Sequence, residues 1–164
     1  MRKPIPFAIV VALGLALDLL TKKLAFDKLS PNESYSLIPD VLQLVHAENH
    51  GVAFSMLASY PSVILVVTSL AIIFLIWLYA RVRLRANRVA LVSIALLLIG
   101  ATGNLIDRVI FHYVRDFIDF MPQLPLIGHW AVFNVADICI TTGVILYAVN
   151  EIFFAKTPRD EEAA

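Results

Sequence analysis

The sequence predicts an all-α membrane protein of four transmembrane helices, with a small extracytoplasmic β-element after helix one. Three observations carry that prediction. Of the 164 residues 60% are hydrophobic and 16% charged, with a mean hydropathy of +0.81, which leaves too little polar surface for a soluble domain of this length. Four apolar runs each have the length of one bilayer crossing. The basic residues, in turn, collect on alternate connections between those runs. Zero formal net charge argues against a nucleic-acid partner. A single cysteine, Cys139, excludes an intrachain disulfide or a thiolate metal cluster.

The first run, about residues 5–26, follows Met1-Arg2-Lys3 and resembles the start of a secretory signal. Asp18 interrupts its apolar core, however, and Lys22-Lys23 stand where small cleavage-site residues belong, so an uncleaved helix is the better reading. Residues 27–60 change in character. DKLSPNES is turn-like, and VLQLVHA alternates as a short strand would. The second and third helices, at about 61–80 and 89–106, flank RVRLRANR with Arg81, Arg83, Arg85 and Arg88. A second connection, 107–130, precedes the fourth helix at about 131–155 and the tail KTPRDEEAA. In this layout the arginine loop, the Arg2-Lys3 start and the Lys156/Arg159 tail share one side, which should be the cytoplasm. Both termini then lie inside, and 27–60 and 107–130 face outward from a single integral membrane domain.

Polar residues gather in one stretch, 100–137. Asn104, Asp107 and Arg108 stand at i, i+3 and i+4 on one face of helix three, with Gly100 and Gly103 a turn deeper, where another helix can approach. Asn134 and Asp137 are i, i+3 neighbours on helix four. With a start near Ala131, Asp137 lies ~9 Å along that helix. Asp116 sits in the connection between. Two carboxylates in a poorly solvated pocket cannot both ionise easily, so such a pair shares one proton. The basic partner activates water while the acidic one polarises a carbonyl, the chemistry of aspartic proteolysis without metal or cofactor.

Blander readings exist for each residue. Asp107 and Arg108 can simply neutralise neighbours at a helix end, and Asp18 with Lys22 makes an intrahelical i, i+4 ion pair. Asn49 and Gly51 suit a turn, and Phe54 an interfacial aromatic. Asp119 is a second candidate for the acid of the connection. The four histidines (His46, His50, His112 and His129) show no metal-ligand spacing on a helix. A different class of function, a small proton-coupled transporter or relay subunit, would use Asp137, Asp107 and Arg108. It would need polar groups nearer mid-membrane, yet helices two and three offer isolated hydroxyls only.

The segments DLLTK (18–22), NHGVAF (49–54), GATGNLIDR (100–108), VRDF (114–117) and FNVAD (133–137) resemble, in order, the motifs of bacterial lipoprotein signal peptidase, or signal peptidase II. The resemblance spans nearly the whole chain. It implies a catalytic dyad of Asp116 and Asp137. Asn49, Gly51, Asn104, Arg108 and Asn134 would line or support that site, with Asp18 and Lys22 in a supporting role and no cofactor. It further implies cleavage of prolipoproteins just before a diacylglyceryl-modified cysteine, at the outer face of the bacterial cytoplasmic membrane. The expected partners are these lipid-modified precursors and membrane lipids, and the expected state is a monomer. One departure stands out. Family members commonly carry two small apolar residues before the first aspartate, where this chain has Val114-Arg115. On an extended segment neighbours point apart, so Arg115 is expected to reach lipid head groups or water.

Overall fold

A computed structural model of the chain describes residues 6–51, 59–85, 87–124 and 128–154. Phe54, the Arg2-Lys3 start and the Lys156/Arg159 tail lie outside the described residues. Four helices form the body: α1 (Phe7–Lys28), α2 (Pro61–Val82), α3 (Arg88–Phe111) and α4 (Val135–Phe154). A three-stranded antiparallel sheet closes one end, in the order β1 (Ser34–Ile38), β2 (Leu42–Asn49) and β3 (Val114–Phe120). Two short strands, β4 (Gln123–Leu124) and β5 (Gly128–His129), pair with each other.

Helices α2, α3 and α4 are each long and apolar enough to cross a membrane. Helix α1 matches α2 in length, at 22 residues, but carries five charged side chains. It is built inside out: Asp18, Lys22 and Ala25, spaced i, i+4, i+7, are buried, while Leu13, Leu17, Leu20 and Leu24 are exposed. That arrangement suits hydrocarbon rather than water, because the polar stripe finds partners inside and the leucines form the outer face. Helix α3 is the centre of the bundle and buries residues from Ala90 to Asp107. Leu98 and Ile94 of α3 pack on Leu75 of α2, with Phe7, Tyr79 and Tyr147 around them. Gly103 faces the Asp18 carboxyl group and Ala136, so a side chain there would part α3 from α1 and α4. Asn87 starts α3 by accepting a hydrogen bond from the Ala90 amide at 3.1 Å, and it also donates to Asn150 at 3.0 Å.

Three expected boundaries move, each for a local reason. Helix α3 continues to Phe111 rather than ending near 106, so Asp107 and Arg108 are helical. It stops where His112 takes φ 67° and its amide bonds to the Arg108 carbonyl at 3.2 Å. Helix α4 starts at Val135, not Ala131. Phe133 is held in an extended bridge to Ile118, with Phe133 N–H donating at 2.9 Å and receiving Ile118 N–H at 2.8 Å. The β-element, expected within 27–60 alone, takes its third strand from the second connection. β2 and β3 pair with Ala47 opposite Asp116 and Asn49 opposite Val114.

Candidate active site

The pleat of the sheet sets which side chains meet. Ala47 and Asn49 of β2 share one face with Val114 and Asp116 of β3, so Asn49 reaches across and donates from Nδ2 to Asp116 Oδ2 at 2.8 Å. Its carbonyl Oδ1 accepts from the Gly51 amide at 3.0 Å, so the turn at 49–51 and the contact to Asp116 are made by one side chain. Asp119 lies on the opposite face of β3 from Asp116, where its Oδ2 accepts from Gln43 at 2.7 Å.

The second acid is placed by the start of α4. Asn134 is the N-cap: its Oδ1 accepts from the Asp137 amide at 3.0 Å, and Asp137 Oδ2 accepts from the Asn134 amide at 3.1 Å. This reciprocal pair is a capping box with aspartate at the third helical position. Asp137 therefore sits in the first turn of α4 rather than deep along it. Asn134 Nδ2 then donates to Asp116 Oδ1 at 2.6 Å, and Asn104 Nδ2 donates to Asp137 Oδ1 at 2.8 Å. The two amides join each other at 3.2 Å. Every oxygen of both carboxyl groups thus receives a hydrogen bond, and Asn134 touches both acids.

Asp116 is 2% exposed, and burial pushes its pKa up to about 7, with the charge of Asp137 acting in the same direction. Hydrogen bonds from Asn49 and Asn134 and the charge of Lys22 pull the other way and do not prevail. The unfolded chain releases this proton near the ordinary value of 3.8, and the folded chain holds it to about 7. Between those values the folded state binds more protons, so this group's contribution is full below the unfolded value and is lost as pH rises through about 7. The melting midpoint in detergent should therefore fall as pH rises from about 3.8 to about 7, and Asp116→Asn should flatten that fall.

The supporting residues converge from three further places. Arg108 Nη2 donates to the Gly51 carbonyl at 2.6 Å and Nη1 to the Asn104 carbonyl at 3.4 Å, tying α3 to the end of β2. The intrahelical Asp18–Lys22 pair forms at 2.9 Å, and both residues also reach beyond α1. Lys22 donates to Asn104 Oδ1 at 2.9 Å and lies 3.3 Å from Asp107. Asp18 Oδ1 accepts from the Ala136 amide at 2.8 Å, at the positive end of α4. All nine residues that the resemblance assigned to the site thus belong to one connected group.

One expectation fails. Arg115 does not reach head groups or water. It is 8% exposed and pairs with Asp107 through Nη2 at 2.7 Å and Nε at 3.2 Å, lying over the Phe111 ring. Asp107 does neutralise neighbours at the helix end, and these are Arg115 and Lys22. The cause is non-local: the turn at His112 folds β3 back along the last turn of α3.

Beside the acids opens a cleft of about 960 Å³ between α2 and α4. Asn49, Asn104, Arg108 and Asp137 form its polar end, while Val67, Ala71 and Phe74 of α2 and Ile138 and Ile140 of α4 form apolar walls. Asp137 lines this space, and Asp116 lies almost sealed next to it. The α2 wall was invisible in the sequence, where every residue of that run reads alike as lipid-facing.

Comparison with known proteins agrees with this geometry. The family model for signal peptidase (SPase) II matches residues 10–153. The lipoprotein signal peptidase of Desulforapulum autotrophicum is 37% identical over 96% of this chain and 97% of its own length. That of Moorella thermoacetica is 40% identical over 86% and 89%. A solved bacterial membrane enzyme superposes with a TM-score of 0.78 at 28% identity, covering 92% of this chain and 91% of its own. With the match running from the first helix to the last, the chain belongs to the signal peptidase II family.

Proposed function

We propose that this chain is a membrane aspartic endopeptidase that removes signal peptides from prolipoproteins, with Asp116 and Asp137 as its catalytic dyad. The observation that carries the reading is the bridging of two acids from separate elements by one buried amide, Asn134, at the mouth of an apolar cleft. Family membership supports the activity and replaces the transporter alternative.

The dyad holds one proton near neutrality. Asp116 is the more buried acid, with its pKa raised by burial, and Asp137 lines the cleft. Asp137 takes a proton from water as the oxygen attacks the scissile carbonyl carbon, and Asp116 donates its proton to the carbonyl oxygen. The tetrahedral intermediate collapses with cleavage of the C–N bond: the leaving amine takes up the proton held by Asp137, and Asp116 takes back a proton from one hydroxyl of the intermediate as the new carboxyl group forms. Asn104, Asn49 and Asn134 hold the two carboxyl groups through these steps, and Arg108 fixes the Gly51 carbonyl at the edge of the cleft.

All four helices cross the bilayer in this reading, α1 included, because its buried charges are paired and its leucines face outward. The sheet lies outside the cytoplasmic membrane, and the arginine-rich loop between α2 and α3 lies inside. The apolar cleft walls suit a precursor whose acylated cysteine is held in the outer leaflet while its peptide bond sits at the interface. Incubating the purified protein with a diacylglyceryl-modified precursor and its unmodified twin tests this. Only the modified form should be cut, and equal cleavage of both would remove lipid recognition from the proposal.

A further inference from the structure

A second set of buried charges lies beside the dyad and takes no part in the proton transfers. Helix α1 supplies Asp18 and Lys22, α3 supplies Asp107, and β3 supplies Arg115. Two acids face two bases. Both Asp107 oxygens are committed: Oδ1 to the Arg115 guanidinium at 2.7 and 3.2 Å, and Oδ2 to the Arg115 backbone amide at 3.0 Å and the Lys22 ammonium at 3.3 Å. Three hydrogen bonds therefore fasten Arg115, the residue immediately before Asp116, to α3. From Lys22 the chain of contacts runs through Asn104 to Asp137.

We propose that Arg115 is a positioning residue for the dyad: by holding and neutralising Asp107, it fixes the backbone that presents Asp116 and leaves Lys22 to serve Asn104. The inference rests on the peptidase reading above. Arg115 points away from Asp116 along the strand and does not line the cleft, so it acts through others. Without its charge, Asp107 and Asp18 would share one ammonium in a buried site, leaving a negative charge uncompensated. Lys22 would be drawn toward Asp107 and away from Asn104 Oδ1. Lys22 favours ionisation of Asp116, so that influence would weaken. Among the described residues, the other charged or titratable groups facing this region include Arg108 of α3, Asp137 and Cys139 of α4, and Tyr113 with its partner Glu48. None of them replaces an arginine paired through two nitrogens.

The test uses the full-length protein and a diacylglyceryl-modified precursor. Arg115→Gln should lower kcat about tenfold or more and leave KM within about twofold. The alkaline limb of the kcat profile should move up by about 0.5–1 pH unit. Adding Asp107→Asn removes the uncompensated charge and should return the limb to its original position. Arg115→Lys keeps the charge, so it should keep the limb while recovering only part of kcat. A limb unmoved in Arg115→Gln, with activity lost only in proportion to folded protein, would overturn the proposal. So would a limb displaced equally in the single and double variants. If Arg115→Gln does not accumulate, the limb is compared in Arg115→Lys and the double variant, where displacement in either overturns it. Cleavage by Asp116→Asn or Asp137→Asn would instead overturn the peptidase reading itself.

Discussion

Asparagine in place of either Asp116 or Asp137 is expected to lower cleavage of a lipidated precursor at least ~10³-fold, with the protein still accumulating in the membrane. An amide has neither the basicity to take a proton from water nor a proton acidic enough to give to the carbonyl oxygen. The substitutions also disturb the hydrogen bonds unequally. Asp116 accepts from Asn49 and Asn134 on its two oxygens, so an amide there turns one of those contacts donor to donor. Asp137→Asn loses acceptance from either Asn104 or the Asn134 amide, and weakening the capping box costs about 1 kcal/mol. Neither cost is enough to explain loss of activity by unfolding. Asp119→Asn is the control, because Asp119 faces the other side of β3. Its rate should stay within about threefold of the original. Comparable processing by all three variants, read by the mobility shift of the precursor, would refute the assignment of the dyad.

Lys22→Met should be the most destabilising single substitution in α1. Lys22 is fully buried between Asp18 and Asp107, at 2.9 and 3.3 Å, and removing it leaves Asp18 without a cation and Asp107 with Arg115 alone. Breaking a buried ion pair from one side costs about 3–5 kcal/mol, and for a chain of this size that is a drop of roughly 10 °C in melting midpoint. One residue along, Lys23 forms an equally short i, i+4 pair with Asp27 at 2.6 Å, but both side chains are largely exposed. Lys23→Ala should cost no more than about 0.5 kcal/mol. Thermal unfolding of the two variants in one detergent decides the matter. Equal midpoints would mean that the buried network adds nothing to stability.

The parts of this molecule that were legible in the sequence are those set by local pattern. Apolar runs of bilayer length located the helices, the alternation in VLQLVHA located β2, and the i, i+4 spacing of Asp18 and Lys22 located their pair. The motifs also named the residues that meet around Asn134. The start of α4 was misplaced because Ala131 to Phe133 are as apolar as the helix that follows. The signal that corrects it was present in the sequence: an asparagine followed three residues later by an acid just before an apolar run. The strand β3 and the destination of Arg115 had no such local mark. VRDFIDF alternates without a clear polar face because both of its faces are covered, and Arg115 finds Asp107 only after the turn at His112. Which residues of α2 face the cleft depends on packing alone.

The dispersal of the site along the chain has a consequence for biosynthesis. Its groups run from Asp18 in the first helix to Asp137 in the last, and the N-cap of α4 both orients Asp137 and holds Asp116. With Asp116 and Asp137 as the proposed dyad, a nascent chain that lacks α4 holds one acid of the pair, has no Asn134 to bridge them and has an open cleft wall. Under that proposal, proteolytic competence arrives in a single step, when α4 is in place, and a half-made copy cannot cut its neighbours.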